Sequence, residues 1–347
     1  MFENRILSMN RLIFLACLWS LSAIPVHRVA ATEPQTSAPY VLAIHGGVGV
    51  RSKIEMTPAK EAALRATLAD SLRAGQAVLQ ANGTSLDAVV AAIKILEDSP
   101  LFNAGKGAAL NRDGVAELDA AIMDGATGKA GAVAAARRIK NPIEAAYRVM
   151  EKTPHVLLAG AGADAFAREQ GLRLMPPEYF VTAERRKQLE HIQREERSKS
   201  QPRASRPSTP DRVGTVGAVA LDRHGNLAAG TSTGGLANKR PGRVGDSPLI
   251  GAGTYANNAS CAVSGTGQGE FFIRSIAAYD IAARMAYPGA SLKDAAEAVV
   301  TKKLTALRAE GGVIALDRQG NLAMPFNTEG MYRGSLREGG QPDIAIY

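Results

Sequence analysis

Cysteine and aromatic residues are both scarce in this chain of 347 residues. Aromatic side chains make up 5% of it, which argues against a module that stacks bases or sugars on ring faces. The two cysteines are Cys17 and Cys261. Cys17 lies in an N-terminal segment that we predict to be removed, so a disulfide within the mature chain is excluded. Cys261 lies in an apolar, strand-like context, which is typical of a buried residue rather than a nucleophile.

The usual metal and cofactor motifs are also missing. The five histidines are isolated, and there is neither a His-Glu-x-x-His motif nor a cysteine pair, so a catalytic transition metal is not expected. A Ser-His-Asp hydrolase is not excluded by spacing. Residues Gly160 to Ala165 have the glycine spacing of a dinucleotide-binding turn. The ribose-binding acid should follow about 20 residues later, where the chain is densely charged, so we interpret the turn as tight strand-to-helix packing and expect no cofactor for catalysis.

The formal net charge of +8 is concentrated in two places. Residues 1–31 contribute +2, from three Arg and one Glu, and residues 177–213 contribute +3, from nine Lys or Arg and six Asp or Glu. The remaining +3 is an ordinary surface for a chain of this size. A nucleic-acid partner is therefore not expected.

The first 31 residues have the three parts of an export signal. Arg5 and Arg11 precede an uncharged, mostly apolar run from Leu12 to Val26, and Val29-Ala30-Ala31 supplies the small residues of a cleavage site. The alternative is a membrane anchor, but the run of about 15 residues is short for a span that needs roughly 20. We predict that residues 1–31 are a signal peptide and that the mature protein is secreted, in the periplasm, without a membrane segment.

Apolar periodicity and turn residues predict strands and helices along the rest of the chain. Thr57 is a candidate N-cap ahead of Pro58, and Thr84 or Ser85 is a candidate cap for the next helix. The predicted strands are Val41 to Ile44, Val115 to Met123, Ala130 to Ala136 and His155 to Ala159, then a glycine-rich strand region from Thr215 to Gly267 and a last pair of strands. The predicted helices are Thr57 to Leu79, Thr84 to Glu97, Asn141 to Glu151, Glu270 to Ala286 and Ser291 to Glu310.

Turn residues add two local predictions. His45 to Gly49 is glycine-rich and is expected to be a turn where backbone approaches a ligand closely. The segments Ala220 to Ala228 and Ala315 to Ala323 share the pattern Ala-Leu-Asp-Arg-x-Gly-Asn-Leu-Ala, and each predicts a hairpin. Strands at the start, middle and end, with helix pairs between them, suit an α/β fold of the layered αββα sandwich type better than a βαβ series.

Residues 176–213 differ in character from their surroundings. They are charged, contain few large apolar side chains and end in a Ser-, Pro- and Arg-rich tract, a composition typical of a solvated, mobile linker. The tract stops at Gly214-Thr215, where a strand begins, and connectivity alone is enough to explain this junction. Three later segments combine glycines with small hydroxyls and opposite charges, and together they predict a compact polar pocket: Thr231 to Gly235, Arg243 to Ser247 and Ser264 to Gly269.

Several motifs along the chain together carry a family resemblance. They are Ile44-His45-Gly46-Gly47, Asn103-Ala104-Gly105, Glu117-Leu118-Asp119-Ala120 and Ser264-Gly265-Thr266-Gly267. In this order they resemble the plant-type L-asparaginases and isoaspartyl peptidases, a family of N-terminal nucleophile hydrolases, over nearly the whole mature chain. The resemblance implies a four-layer αββα sandwich and hydrolysis of isoaspartyl dipeptides and L-asparagine through a covalent β-aspartyl ester.

The resemblance implies that the precursor cuts itself between Gly214 and Thr215. The products are an α chain, residues 32–214, and a β chain, residues 215–347, of one domain. A threonine hydroxyl is a poor nucleophile without a base, and the freed α-amine, with a reference pKa of about 7.7 to 8.0, supplies one on the same residue. Gly214 lets its carbonyl adopt a strained conformation that the hydroxyl attacks.

The same resemblance assigns the catalytic roles around the nucleophile Thr215. Thr233 hydrogen-bonds to it and orients it. The hydroxyl of Thr266 and the backbone N–H of Gly267 form the oxyanion hole, where losing one donor costs about 100- to 1000-fold in rate.

Substrate recognition is assigned to three further side chains. Arg243 binds the α-carboxylate and Asp246 the α-ammonium of the substrate, a pairing of opposite charges that suits a free α-amino acid head. Asn103 lines the site, and Gly267 contacts the substrate as well as the oxyanion.

Two further features follow from the resemblance. One is a structural sodium ion, held largely by main-chain carbonyls, at Leu96, Glu97, Ser99, Phe102, Ala104 and Lys106. The other is assembly as a dimer of αβ heterodimers.

Two alternative functions remain open at this point. Glycosylasparaginases resemble Asp-Thr at the cut and Ser-Thr-Asn-Gly in the next motif, whereas this chain has Gly214-Thr215 and Thr233-Gly234-Gly235. A periplasmic amino-acid-binding protein would use Arg243 and Asp246 without catalysis. A protein that stays intact on a denaturing gel would favour the binding protein.

Overall fold

A computed structural model describes residues 39–49, 56–198 and 214–347 of the chain. They fall within one unit of the contact map, Ser37–Tyr347. The predicted signal peptide and the last part of the predicted linker lie outside the described residues. Within the described ranges, no helix is both long and apolar enough to span a membrane.

Twelve strands form two sheets in the described part of the chain. The strands are β1 Val41–Val48, β2 Leu118–Asp124, β3 Ala130–Ala136, β4 Leu157–Ala159, β5 Val216–Leu221, β6 Leu227–Thr233, β7 Thr254–Ala256, β8 Cys261–Gly267, β9 Gly311–Asp317, β10 Leu322–Ala323, β11 Met331–Arg337 and β12 Asp343–Ala345. The large sheet has the order β12-β11-β1-β5-β6-β2-β3-β4 and the small sheet β10-β9-β8-β7. All neighbours are antiparallel except β3 and β4, which are parallel.

Eight α-helices accompany these strands. They are α1 Pro58–Gln80, α2 Ser85–Asp98, α3 Pro142–Lys152, α4 Gly160–Glu169, α5 Ala183–Ser198, α6 Gly269–Ser275, α7 Ala277–Ala286 and α8 Leu292–Glu297. Helix α8 continues into a π-helical segment, Ala298–Leu304, and two short 3-10 turns occur at Gly105–Gly107 and Pro177–Phe180.

The first two helices begin at predicted caps. Thr57 Oγ1 accepts a hydrogen bond from Lys60 N at 3.2 Å, and Pro58 occupies the first helical position. Thr84 Oγ1 accepts from Asp87 N at 3.1 Å, so the first of the two candidate caps is the one used. Each cap satisfies an N–H group that the helix itself leaves unpaired.

Buried apolar side chains form three clusters. The first joins the large sheet, for example Leu42, to α1, α2 and α3. The second contains strands of both sheets, including Val219 and Ile314. The third joins the small sheet to α7, α8 and the π-helical segment, including Val263 and Ile281. The chain therefore has an α/β fold in which one mixed and one antiparallel sheet pack with helices.

Both predicted hairpins are confirmed. β5 pairs with β6 and β9 with β10, across turns in which Gly225 and Gly320 have φ of 76° and 80°. Asp222 and Asp317 each accept backbone N–H bonds within their own turn. The repeated sequence forms a hairpin because the Asp at the start of the turn accepts hydrogen bonds from backbone N–H groups and the glycine adopts the left-handed conformation.

Strand β1 corrects the prediction of a turn at His45 to Gly49. The strand continues to Val48, and its register against β11 shifts between His45 and Gly47, which is a β-bulge. A close approach is made to the chain itself, because a Cβ on Gly47 would lie 2.4 Å from Gly214 Cα.

The predicted mobile linker contains regular structure in its described part, residues 176–198. A 3-10 turn and helix α5 occupy most of it. Phe180, Arg185 and Leu189 are buried, while most other side chains of the segment are exposed. Composition suggested a linker because so few residues anchor the helix. The remainder, residues 199–213, lies outside the described residues.

The two predicted C-terminal helices are each interrupted. The first is divided into α6 and α7 by Ile276, which has φ 50° and ψ 50°, a left-handed conformation uncommon for a β-branched residue. The second changes from α- to π-helical after Glu297 and ends by Leu304. Apolar spacing continues across both interruptions, so the sequence pattern does not reveal them.

Candidate active site

Thr215 lies beside Thr233 because of the β5–β6 register. Val216 at the start of β5 pairs with Ser232 near the end of β6, so the residues flanking this pair also face each other. Thr215 Oγ1 donates a hydrogen bond to Thr233 Oγ1 at 3.1 Å, and Thr233 Oγ1 accepts another from Gly235 N at 3.0 Å. Both threonines are buried. The pair is held in one orientation before any substrate is present.

The peptide bond before Thr215 lies against two other backbone segments. A Cβ at residue 214 would lie 2.7 Å from Thr266 Oγ1 and 2.9 Å from Gly47 Cα, so no residue larger than glycine fits there without displacement. Thr266, in β8, also accepts a hydrogen bond from Val48 N at 3.3 Å. Gly214 is therefore close to a hydroxyl group supplied by the other sheet.

A chain of buried polar side chains extends behind Thr215. His45 Nδ1 contacts the Thr215 carbonyl oxygen at 3.0 Å, and its Nε2 contacts Ser264 Oγ at 2.9 Å. Ser264 Oγ lies 2.7 Å from Thr231 Oγ1, which accepts from Thr254 Oγ1 at 2.7 Å. Burial lowers the pKa of His45 to about 3, so the imidazole is neutral. A neutral ring with one N–H is suited to donate to the Thr215 carbonyl and accept from the serine.

Arg243, Asp246 and Glu270 form the charged part of the site. Arg243 Nε and Nη2 each donate to a carboxylate oxygen of Glu270 at 3.0 Å. Asp246 is buried, and burial raises its pKa to about 7. Its Oδ2 has no hydrogen-bond partner among the described residues. A buried carboxyl without a partner is costly, so this group is suited to receive an ammonium.

Two more ionisable side chains lie behind Thr233. Asp119 of β2 pairs with Thr233 across the sheet and is fully buried, and its Oδ1 accepts from Ala135 N at 2.8 Å. Burial raises the pKa of Asp119, an effect that the charge of Lys239 opposes. Burial also lowers the pKa of Lys239, whose Nζ donates to the Glu117 carbonyl at 2.9 Å. Both side chains lie beside the strand end that presents Thr233.

Asn103 supports the turn after β6. Its Oδ1 accepts from Ala109 N at 2.7 Å, and its Nδ2 donates to the Gly235 carbonyl at 2.7 Å. Its own carbonyl accepts from Gly234 N at 3.1 Å. The Nδ2 and the carbonyl of Asn103 thus hold the Gly234–Gly235 turn, next to Thr233, and Oδ1 ties this turn to the backbone at Ala109.

The predicted sodium residues run from the last turn of α2, which contains Leu96 and Glu97, through a loop to Lys106 in the first 3-10 turn. The side chain of one of them, Glu97, is fully buried and points elsewhere: Oε1 accepts from Ser232 Oγ at 2.7 Å and Ile143 N at 3.0 Å. Burial raises the pKa of this carboxyl to about 8. The loop is thereby tied to β6 and to the first turn of α3.

Residues 38–346 match the family described as Asparaginase. The chain belongs to the asparaginase family. It is 52% identical over 307 residues to an isoaspartyl peptidase of Escherichia coli, covering 88% of this chain and 96% of that protein. It is 47% identical over 321 residues to a putative isoaspartyl peptidase/L-asparaginase of Dictyostelium discoideum, covering 85% and 92%. With an isoaspartyl peptidase/L-asparaginase of Rattus norvegicus the identity is 40% over 299 residues, 86% of each chain. The resemblance inferred from the motifs is confirmed.

In this asparaginase-family chain, residues that sequence analysis singled out come together in two groups. Thr215 contacts Thr233 and follows Gly214, which lies beside Thr266, while Arg243 and Asp246 lie with the acidic residue at the start of α6. Four partners were not predicted: His45, Asp119, Lys239 and Glu270. The asparaginase motifs included the first two without a role, and Glu270 directly follows the glycine-rich Ser264 to Gly269 segment, which was the available clue.

Proposed function

We propose that this member of the asparaginase family is a threonine hydrolase that cleaves isoaspartyl dipeptides and L-asparagine. The observation that carries the proposal is the 3.1 Å hydrogen bond between Thr215 and Thr233, beside the Gly214 carbonyl. The names of the curated relatives, isoaspartyl peptidase and isoaspartyl peptidase/L-asparaginase, support the substrate class.

Maturation begins at the bond between Gly214 and Thr215. The Thr215 hydroxyl attacks the Gly214 carbonyl carbon, the C–N bond breaks, and the acyl group moves from nitrogen to oxygen as an ester. Water then hydrolyses the ester, which frees the Gly214 carboxylate and restores the threonine hydroxyl. The Thr215 nitrogen becomes an α-amine, which can act as a base, whereas an amide nitrogen cannot. The products are residues 32–214 and 215–347.

The mature site performs the same acyl transfer on substrate. The Thr215 amine accepts the hydroxyl proton as Oγ1 attacks the side-chain carbonyl of asparagine or the isoaspartyl carbonyl of a dipeptide. Ammonia or an amino acid leaves with a proton, and water then releases aspartate from the β-aspartyl ester. The Thr266 hydroxyl and the Gly267 N–H stabilise the oxyanion, an interaction worth about 2.7 to 4 kcal/mol per donor in comparable sites.

The charged group supplies selectivity for a free amino acid head. Arg243 takes the α-carboxylate and Asp246 the α-ammonium. The buried position of Asp246 and its unpaired Oδ2 support this role. Asn103 acts through the turn that it supports, because its Nδ2 bonds to Gly235 and its carbonyl to Gly234.

The loop after α2 fits a structural sodium ion. Its ligands would come from Leu96, Glu97, Ser99, Phe102, Ala104 and Lys106. A Cβ at Gly105 would lie 2.3 Å from the Glu97 carbonyl oxygen, and one at Gly107 2.2 Å from that of Phe102, so the loop is wrapped tightly around main-chain oxygens, which suit hard cations. A bound ion would fix the loop that carries Asn103 and would take part in no chemical step.

Three larger-scale features belong to the same proposal. The three apolar clusters support a four-layer αββα sandwich. Residues 1–31 are an export signal, which places the mature enzyme in the periplasm. The assembly is a dimer of αβ heterodimers.

Mass spectrometry and denaturing gels of purified protein test the proposal. Wild-type protein is expected to separate into two chains, one that ends at residue 214 and one that begins at residue 215. It should also release ammonia from L-asparagine. Thr215→Ala is expected to stay uncut and inactive, because no hydroxyl is available to attack. Thr215→Ser, which keeps a hydroxyl, is the matched control and should be cut, more slowly.

Two outcomes would contradict the proposal. Full processing of Thr215→Ala would place the nucleophile elsewhere. Wild-type protein that stays one chain yet binds amino acids would identify a binding protein instead.

A further inference from the structure

The guanidinium of Arg243 is held along one edge by Glu270. Nε and Nη2 donate to the two carboxylate oxygens at 3.0 Å each, which is a bidentate pair. The Arg243 side chain is 16% exposed and that of Glu270 55%. The pair therefore bridges from the interior of the site to solvent.

Three glycines frame the same guanidinium. A Cβ at Gly235 would lie 3.2 Å from Arg243 Nη1, one at Gly245 2.8 Å from Nη1, and one at Gly269 2.8 Å from Nη2. Backbone thus approaches the group on several sides at distances that a side chain would prevent. The guanidinium occupies a narrow space whose width depends on these glycines.

A guanidinium has five N–H donors in a planar fork. Glu270 takes two of them, one on Nε and one on Nη2. Three donors remain, two on Nη1 and one on Nη2, and the edge formed by Nη1 and Nη2 is again spaced for two carboxylate oxygens. One arginine can therefore hold Glu270 on its outer edge and a second carboxylate on its inner edge.

We propose that Glu270 is a positioning residue that orients Arg243 so that its free edge receives the α-carboxylate of the substrate. This inference rests on the proposed function, which assigns that carboxylate to Arg243. Glu270 does not touch the substrate. Glu270 holds the long arginine side chain in one rotamer before the substrate arrives. The conformational entropy that Arg243 loses on binding is therefore smaller.

Glu270 has two other effects, charge repulsion of the substrate and a contribution to folding stability. The negative charge of Glu270 repels a substrate carboxylate, but the group is more than half exposed and water and salt screen it. An exposed ion pair adds little to folding stability. If Glu270 had a purely structural role, its loss would therefore leave KM unchanged. Orientation of Arg243 is the effect that remains.

The test compares Glu270→Gln, Arg243→Ala and the double variant with wild type, using L-asparagine and an isoaspartyl dipeptide. Glu270→Gln is expected to raise KM about two- to tenfold, the factor that corresponds to ordering one long side chain. Turnover number and self-cleavage should be unchanged, because neither step depends on how Arg243 binds the substrate α-carboxylate. Glu61→Gln is the matched control, since it removes the acidic partner of Arg65 in a remote, half-exposed pair.

The double variant makes the inference specific. In the Arg243→Ala background, Glu270→Gln should have no further effect on KM. An unchanged KM in the single variant, a lower KM, or an equal rise in the Arg243→Ala background would overturn the inference. A wild-type enzyme that hydrolyses neither substrate would instead refute the proposed function.

Discussion

Gly47, Gly214 and Gly217 bring backbone and polar groups around Thr215 closer together than larger residues permit. A Cβ on Gly217 would lie 2.0 Å from Ser264 Oγ and 2.4 Å from His45 Nε2. Contacts between buried donors and acceptors need such distances, because an unpaired polar group in the interior is costly. The abundance of glycine thus has a local cause in the site.

Single residues were predictable to different degrees. Thr215 and Thr233 were identified through the family resemblance, since connectivity alone was enough to explain the junction before Thr215. The role of His45 could not be predicted, because it depends on Ser264, which is 219 positions away. Nothing local distinguishes a histidine that holds a nucleophile's carbonyl from one that fills a core.

Asp246 predicts an acid limb in the pH dependence of activity. With its pKa raised to about 7 by burial, the carboxyl of the free enzyme is protonated at lower pH and cannot pair with an ammonium. We expect kcat/KM to fall as the pH falls through about 7. Asp246→Asn should lower kcat/KM at pH 8 by about 10- to 100-fold, as expected for losing a charged hydrogen bond, and should lose this limb.

Profiles of kcat/KM between pH 5 and 9, on fully processed protein, check this prediction. The Thr215 amine must also be unprotonated, so two ionisations act in wild type and one remains in Asp246→Asn. Arg243, Glu270 and Asp119 influence Asp246 electrostatically, and all three are present in both proteins. Identical slopes in the two proteins would exclude Asp246 as the ammonium partner.

At the scale of elements, helix α5 of the predicted α chain contacts residues of both predicted chains. Arg185 Nε donates to the Gly107 carbonyl at 2.7 Å, and Gln193 Nε2 donates to the Arg112 carbonyl at 2.8 Å. Gln193 also reaches Asn238 Oδ1, in the predicted β chain, at 3.4 Å. These contacts are the reason that the helix stays on the protein despite its charged composition.

Most other elements could be predicted because their own residues specify them. Thr57 and Thr84 mark helix starts, and the Asp222 and Asp317 turns mark hairpins. Helix α5 was missed because two or three anchoring side chains decide its position and the remaining charged residues have no pattern that differs from a linker. Ile276 interrupts an apolar run without any helix-breaking residue, so its conformation is set by tertiary packing.

Trypsin can measure how firmly α5 is anchored. Arg185→Ala removes a charge-assisted hydrogen bond worth about 1.5 to 3 kcal/mol, so local opening should become about tenfold or more frequent. Cleavage after Arg194 should accelerate by a similar factor. Arg186→Ala is the control, since it removes one trypsin site from an exposed position. Equal cleavage rates after Arg194 in both variants would show that the Gly107 contact does not hold the helix.

At the scale of the whole molecule, polar side chains link the two sheets through their shared interior. His45 and Thr231 belong to the large sheet, and Ser264 and Thr254 to the small one. The chain of contacts among them lies within an otherwise apolar interface. His45 is the titratable member of this chain, and its two ring contacts join the strand that begins after Thr215 to Ser264 of the small sheet.

The pKa of His45 determines the direction in which the free energy of unfolding changes with pH. Burial lowers it from 6.5 to about 3, so between these pH values the unfolded chain binds a proton that the folded chain does not. The free energy of unfolding therefore decreases as the pH falls from 6.5 towards 3, by up to about 1.4 kcal/mol per pH unit from this group. Between pH 7 and pH 5 the loss amounts to about 2 kcal/mol.

Urea unfolding of Thr215→Ala, an expected single-chain background, isolates the effect. A second variant that adds His45→Gln keeps a hydrogen-bonding side chain but cannot titrate. We expect the second variant to be less stable at pH 7, because the amide does not reproduce both ring contacts, yet to lose about 2 kcal/mol less than the first between pH 7 and pH 5. All other acidic and basic groups are common to both proteins, so their contributions cancel in the difference. An equal loss in the two variants would mean that His45 is protonated without cost in the folded state, and that the contact between the sheets does not depend on a neutral ring.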